Sequence, residues 1–123
     1  MIKENSVQSV EQDPRASLAQ FLATVRNDVR LAVVLPVKVI SDEIGVAPQW
    51  SCTYEVSLRG ARLKQVDGVN AAGQEIWIKR HNCKAKYRVV WIARPESAQA
   101  GQFTAECLEE TVIWEPEVTS RLK

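Results

Sequence analysis

The clearest secondary-structure signal in the chain is EIWIKRHNCKAKYRVVWI, residues Glu75–Ile92. Apolar residues alternate with polar ones on both sides of a polar break at His81–Cys83. A period of two residues is that of a β-strand with one buried face, and a short polar break between two such runs is typical of a tight turn. The stretch therefore predicts two antiparallel strands, Glu75–Arg80 and Lys84–Ile92, joined by a hairpin.

Similar alternating segments lie on both sides of this hairpin, and Gly, Pro, Asn and Asp cluster between them as turn signals. The predicted strands are, in order, Leu31–Ile40, Trp50–Val56, Gly60–Val66, Glu75–Arg80, Lys84–Ile92 and Gln102–Leu108. Pro36 implies an edge position or a bulge in the first of them. Six short strands without intervening helices favour a mostly β protein, an antiparallel barrel or sandwich, and closure into a barrel would remove exposed edges.

The segment before the strands has a different pattern. Residues 1–12 are polar and aperiodic, and we expect them to be flexible. Asp13-Pro14 is typical of a helix start, because Asp caps the first turn and Pro suits the first helical position. The apolar residues that follow at helical spacing are Leu18, Phe21, Leu22 and Val25. The pattern predicts a short N-terminal helix within residues 13–25.

The segment after the strands is acidic. Val112, Ile113 and Trp114 are its one apolar cluster, and we expect them to dock on the barrel. Residues 115–123 are expected to fray as a tail, so the barrel domain is assigned to residues 26–114.

Composition limits the classes of protein that the chain can represent. It has 123 residues, of which 46% are hydrophobic and 25% charged, as in one ordinary globular domain and unlike a disordered chain. No apolar run approaches the roughly 20 residues of a membrane helix, and Met1–Arg15 lacks the apolar core of a secretory signal. A cytoplasmic location is therefore expected. The three cysteines have no zinc spacing and indicate reduced thiols, with Cys107 expected as a buried small apolar residue.

The sequence offers little for catalysis. It holds one histidine, His81, in a predicted turn, and no nucleophile elbow, zinc-protease or phosphate-loop motif. General acid–base chemistry needs a positioned pair of groups, and none is evident. We expect a protein that is not an enzyme and that has no metal or cofactor.

The net charge of +1 hides an uneven distribution. Residues 26–94 carry twelve basic and six acidic residues, a net +6, between segments of −1 and −4. A basic middle segment could attract an anionic ligand, although lysines on a solvated barrel face would give the same count.

Two short motifs could bind such a ligand. Arg26 and Arg30 lie four residues apart where the predicted helix meets the first strand, and an arginine fork can grip a phosphate or a guanine edge with two hydrogen bonds. Glu55, Ser57 and Gly60 lie at the connection between the second and third strands. The acid can accept hydrogen bonds from guanine N–H groups and Ser57 adds a hydroxyl. Each motif alone is weak, since the second could equally be a hairpin turn with a Ser-mediated backbone bond.

Together, in this order and on this strand pattern, the motifs resemble the PilZ domain family of bacterial cyclic di-GMP receptors. That family combines RxxxR before the first strand with [D/N]xSxxG after the second, on a six-stranded antiparallel barrel. Arg26 and Arg30 fill the first motif, Ser57 and Gly60 match the second, and Glu55 stands where the family has Asp or Asn. The segments SLRGARL (residues 57–63) and YRVVW (residues 87–91) are also similar.

The resemblance implies a small receptor that binds cyclic di-GMP through Arg26, Arg30, Glu55, Ser57 and Gly60. The arginine segment would order on binding and reorient the preceding helix, and the signal would pass to a partner protein. Because Glu is one methylene longer than Asp, the guanine contact would have to shift or weaken.

Two other functions stay open. The barrel could have lost nucleotide binding and act as a protein-interaction adaptor, which the change to Glu55 favours. It could also bind single-stranded nucleic acid through its basic middle and aromatics such as Trp77. The second is disfavoured because the aromatics fall mostly at alternating positions typical of a core, and most of the four tryptophans are expected to pack there or at the barrel ends.

Overall fold

The computed structural model describes residues 29–123. Six strands and one short helix follow one another: β1 Pro36–Ser41, β2 Gln49–Val56, β3 Gly60–Lys64, β4 Glu75–Arg80, β5 Cys83–Ile92, β6 Gln102–Cys107 and α1 Pro116–Arg121. The strands close into a barrel in the order β1-β2-β3-β6-β5-β4, and every neighbouring pair is antiparallel. The predicted six-stranded antiparallel barrel is confirmed. The flexible residues 1–12, the predicted helix within residues 13–25, and Arg26 lie outside the described residues.

The barrel interior is filled by the residues that the alternation of β3, β4 and β5 predicts. The largest fully buried side chains include Tyr87, Phe103, Leu63, Ile76 and Ile78. Each such side chain contributes about 1.5–3 kcal/mol relative to an exposed position. Burial raises the pKa of the Tyr87 hydroxyl far above its ordinary value, so this tyrosine stays neutral inside the barrel.

The first half of strand β2 buries its polar residues and exposes its apolar ones. Its apolar Trp50 and Tyr54 face outward, whereas Ser51 and Thr53 are buried, at 7% and 0% exposure. The hydroxyls are tolerated inside because they bind backbone. Ser51 Oγ donates to the Lys64 carbonyl at 2.7 Å, and the Thr53 hydroxyl bridges the chain that precedes β1. A bulge after Thr53 then shifts the phase, so that the strand ends on a buried apolar residue.

Strand β1 begins at Pro36, five residues later than expected. The preceding chain still follows β2, but the Thr53 side chain replaces part of the backbone ladder. Thr53 Oγ1 accepts from the Leu35 amide at 2.9 Å and donates to the Val33 carbonyl at 2.7 Å. Further along, Leu31 and Val56 exchange two backbone hydrogen bonds of 2.9 Å. Residues 31–35 are thus fixed to β2 without being a regular strand.

The C-terminal segment is ordered beyond the expected docking residues. Trp114 is 4% exposed, as predicted, but the expectation that residues 115–123 fray is wrong for α1. Pro116 stands in its first turn, and Val118 and Leu122 are buried at the four-residue spacing of one helix face. Two apolar residues, Val118 and Leu122, are too few for the sequence to distinguish a docked helical turn from a solvated tail.

The connection between β3 and β4 folds over the end of β1 at Gly68. This residue has a φ of +89°, and its carbonyl accepts from Ser41 Oγ at 2.8 Å. A Cβ on Gly68 would lie 2.8 Å from the Cβ of Ser41. The position therefore requires glycine for its backbone conformation and for the close approach.

Candidate functional site

The backbone pairing of Leu31 with Val56 brings the two sequence motifs together. Arg30, one residue before Leu31, lies beside Glu55, one residue before Val56. Arg30 Nη1 is 3.9 Å from Glu55 Oε1, with the side chains 45% and 31% exposed. An ion pair this long and this exposed is weak, of the order of 0–1 kcal/mol. Either side chain can therefore give up this ion pair and bind an external ligand at little cost in free energy.

Ser57 and Gly60 are placed differently, because they form the turn itself. Ser57 is 3% exposed. Its amide donates to the Gly60 carbonyl at 2.9 Å, and its hydroxyl accepts from the Arg59 amide at 3.2 Å and donates to Gly60 O at 3.4 Å. Gly60 begins β3 and is buried, and it is not among the described glycines with positive φ. The motif thus combines two solvent-facing charges, Arg30 and Glu55, with two residues that set the shape of the turn.

The C-terminal segment supports the same turn from the barrel end. Trp114 Nε1 donates to the Ser57 carbonyl at 3.0 Å in a buried position. The next residue, Glu115, binds Arg80 at 2.9 and 3.1 Å, and the Arg80 side chain also donates to the Pro36 carbonyl at 2.9 Å. The hydrogen bonds from Arg80 lower the pKa of Glu115 from 4.5 to about 2. A neutral buried contact therefore holds the turn, and a charged contact one residue on ties the C-terminal segment to β4 and β1.

Two arginines that sequence reasoning did not assign lie near this surface. Arg59 is exposed within the turn. Arg62 is paired directly with Glu55 across β2 and β3, and its Nη1 donates to Gln102 Oε1 at 2.7 Å. The guanidinium carbon of Arg62 is 5.8 Å from the Tyr54 ring. Their position depends on strand register, which the sequence did not reveal. Glu55 thus has Arg30 beside it and Arg62 opposite it in the strand register, and this local excess of positive charge favours an anionic ligand.

A cavity of about 510 Å³ lies on the other side of the turn. Its lining residues are Leu58, Arg59, Cys107, Leu108, Glu109, Glu110 and Val112. Cys107 is half-buried rather than fully buried as expected, and its thiol donates to the Glu109 carbonyl at 3.3 Å. Burial raises the pKa of the Cys107 thiol, against the opposing effect of that hydrogen bond. The two exposed glutamates at this cavity disfavour an anion there.

The tryptophans do not follow the expected core placement. Of the four, Trp114 alone is buried, Trp50 is 68% exposed, and Trp77 and Trp91 are partly buried. The pairing of β4 with β5 places Trp77 on the outer face, where the ammonium groups of two lysines lie 4.9 and 5.0 Å from its ring. The expectation that most of them pack in the core or at the barrel ends fails for Trp50 and Trp77, because β2 turns Trp50 outward and β4 carries its isoleucines inward.

Other structural features bear on the class of protein. His81 lies in the β4–β5 hairpin turn, as predicted, with a φ of +54°. Within residues 29–123, no group of three or more His, Cys, Asp or Glu side chains could hold a metal ion. In the same part of the chain, no helix has the length and apolarity needed to cross a membrane.

Two solved structures are similar to this barrel. The structure of Bacillus subtilis inhibitor of motility (MotI/DgrA) matches with a TM-score of 0.55 and 18% sequence identity, over 68% of this chain and 42% of that one. The crystal structure of the PilZ domain of CeSA from a cellulose-synthesizing bacterium matches with a TM-score of 0.51 and 15% identity, over 68% of this chain and 83% of that one. No protein-family profile and no curated protein sequence matches the chain.

The described chain is therefore a PilZ-like domain by fold. This confirms the resemblance drawn from its two motifs at the level of the barrel. The chain spans less than half the length of MotI/DgrA, so it corresponds to one part of that protein.

Proposed function

We propose that this domain is a receptor for cyclic di-GMP and that the ligand binds on the outer surface of the barrel at the β2–β3 turn. The observation that carries the proposal is the position of Arg30 beside Glu55, at 3.9 Å, next to the Ser57–Gly60 turn. Residues that are 25 positions apart in the sequence meet at one exposed place. Neither the core nor the barrel closure requires this meeting, since both charged side chains face solvent.

In the proposed binding step, Arg30 exchanges its weak pair with Glu55 for a phosphate or a guanine edge of the ligand. Glu55 then accepts hydrogen bonds from guanine N–H groups. Ser57 and Gly60 act by holding the shape of the turn. Arg26 is separated from Arg30 by four peptide units, which span at most about 14 Å when fully extended, so it is within reach of the same ligand. Ordering of this arginine segment would pass the signal to a partner protein.

The test is isothermal titration calorimetry of the full chain with cyclic di-GMP. Arg30→Ala removes a charged hydrogen bond worth about 1.5–3 kcal/mol, so we expect a roughly ten- to hundredfold weaker Kd. Lys64→Ala is the matched control, because Lys64 is also an exposed cation on a neighbouring strand; its Kd should stay within about twofold of the parent. Absence of heat at tens of micromolar ligand, or equal affinity of Arg30→Ala and the parent, would refute the proposal.

A second candidate function is a protein-interaction adaptor that no longer binds the nucleotide. It is favoured by the hydrogen bonds that already occupy the Ser57 hydroxyl. One of the structurally similar proteins, MotI/DgrA, is named as an inhibitor of motility rather than for a ligand. If the parent chain shows no binding and Glu55→Asp restores it, the adaptor function is the correct one.

A further inference from the structure

The outer face of strands β2, β1, β4 and β5 carries an unusual row of side chains. Trp50 is paired directly with Lys38, Lys38 with Lys79, and Lys79 with Lys84, on four neighbouring strands. Their chain neighbours Ser51, Val37, Val39, Ile78 and Ala85 are buried, so the row faces outward. At about 4.8 Å between strands, it is about 14 Å long.

The three lysines of this lysine row repel one another. Like charges directly opposite in an antiparallel pair are destabilising, and here two such pairs adjoin. The ion pairs between residues 29 and 123 are Arg30–Glu55, Arg80–Glu115 and Lys86–Glu75. Lys38, Lys79 and Lys84 form none with a described residue. The row therefore lowers the stability of the barrel without a compensating acid on the described surface.

An apolar recess lies beside the lysine row. A cavity of about 310 Å³ is lined by Pro36, Lys38, Trp50, Lys79, Arg80 and His81. Trp50 is 68% exposed, and its ring is held beside the row by Lys38 Nζ at 4.9 Å from its centre. Tryptophan is one of the residues enriched in binding hot spots, and here it stands beside a cationic rim.

We propose that the lysine row and this recess form the docking site for an acidic segment of a partner protein. Carboxylates of the segment would neutralise Lys38, Lys79 and Lys84, and one apolar side chain would enter the recess against Trp50. The proposal concerns the start of β2 together with β1, β4 and β5, whereas the nucleotide proposal concerns the β2–β3 turn. The two can therefore succeed or fail independently.

Charge and geometry favour a protein over two other anionic partners. Single-stranded nucleic acid binds by stacking successive bases on several aromatic rings, whereas Trp50 is the one aromatic residue in the lysine row. A membrane surface is also bound through exposed apolar side chains, and the most exposed one in the described chain, Ile44 at 98%, directly follows Asp42 and Glu43. Those two carboxylates would be repelled by anionic lipid.

The experiment measures binding of labelled octapeptides that alternate Glu with other residues and carry one central Leu, Phe or Trp. The full chain is titrated at low and at physiological salt, with Gln-for-Glu peptides as controls. We expect the acidic peptides to bind at least tenfold more tightly than the Gln versions, with salt-dependent affinity. Lys79→Glu and Trp50→Ala should each weaken binding at least tenfold. Lys64→Glu, a charge reversal outside the row, should change it less than twofold.

Thermal unfolding separates loss of the site from loss of the fold. Lys79→Glu replaces two like-charge pairs by two opposite-charge pairs, so its Tm should rise by about 2–4 °C while peptide binding falls. Three results would overturn the proposal: no preference for acidic peptides, equal losses in Lys79→Glu and Lys64→Glu, or tighter binding of oligo-dT or phosphatidylserine vesicles than of every acidic peptide. The last result would assign the row to nucleic acid or to membrane.

Discussion

Thr53 provides the sharpest test of how the barrel holds its N-terminal segment. Its side chain is fully buried and makes two hydrogen bonds, accepting from the Leu35 amide at 2.9 Å and donating to the Val33 carbonyl at 2.7 Å. Thr53→Val preserves the shape of the side chain and removes both bonds. The Leu35 amide is then left unpaired in a buried position, which costs about 1–3 kcal/mol, and loss of the second bond adds about 1 kcal/mol.

The expected decrease in the free energy of unfolding is therefore about 2–4 kcal/mol. Urea denaturation followed by tryptophan fluorescence measures it. With a denaturant slope of about 2 kcal/mol per molar, the middle of the range for small proteins, the midpoint should fall by about 1–2 M while the slope is unchanged. Hydrogen exchange of the Leu35 amide should also accelerate, because its acceptor is gone.

Thr104→Val is the matched control. Thr104 is 2% exposed on β6, and its hydroxyl has no hydrogen-bond partner among the residues that the structure describes. Removing an unsatisfied buried hydroxyl should leave the free energy of unfolding unchanged or raise it by up to about 1 kcal/mol. If both Thr→Val variants lose the same stability, the hydroxyl bridge of Thr53 is not what fixes residues 31–35.

Three further predictions concern the segments that surround the turn. Trp114→Phe should lower the free energy of unfolding by about 2 kcal/mol, through lost packing and a Ser57 carbonyl left without its indole donor; a change below about 0.5 kcal/mol in urea denaturation would contradict this. The pKa of Glu115 lies below its ordinary value, at about 2 against 4.5, so its contribution to stability is present above pH 4.5 and is lost as the pH falls toward 2. The stability difference between the parent and Glu115→Gln should therefore shrink over that range, and a difference independent of pH would exclude the ion pair as its source. Gly68→Ala should lower the Tm far more than Gly45→Ala, since both glycines have a φ of +89° but a Cβ contacts other atoms within 4 Å only at Gly68; equal losses would show that backbone strain alone decides.

The fold was predictable wherever burial alone sets the strand phase. Ile76 and Ile78 alternate with outward residues in β4 as the sequence indicates. The phase of β2 was not predictable, because Ser51 and Thr53 are buried through hydrogen bonds to backbone that lies 13 to 20 residues away. Alternation of polarity cannot reveal such partners.

The Arg30–Glu55 part of the candidate site was predictable from the sequence, whereas the parts that depend on strand register were not. The family resemblance pointed to the meeting of Arg30 with the Glu55 segment, which the structure places 3.9 Å apart at their closest charged atoms. The roles of Arg62 and of the lysine row depend on which residues stand opposite one another across strands. A register shift of one residue would place them on other faces, and the sequence does not state the register.

The two hydrogen bonds between Leu31 and Val56 have a mechanical consequence. They fix the backbone at Leu31, so only one peptide bond separates Arg30 from a residue held firmly to β2. If both bonds are kept, the first backbone bonds that can rotate to move the Arg30 side chain are those of Arg30 itself. The pairing with β2 thus fixes the position about which a bound ligand can move Arg30. A change in the hydrogen-exchange rate of the Leu31 amide on ligand addition would show whether that pairing is strained or broken.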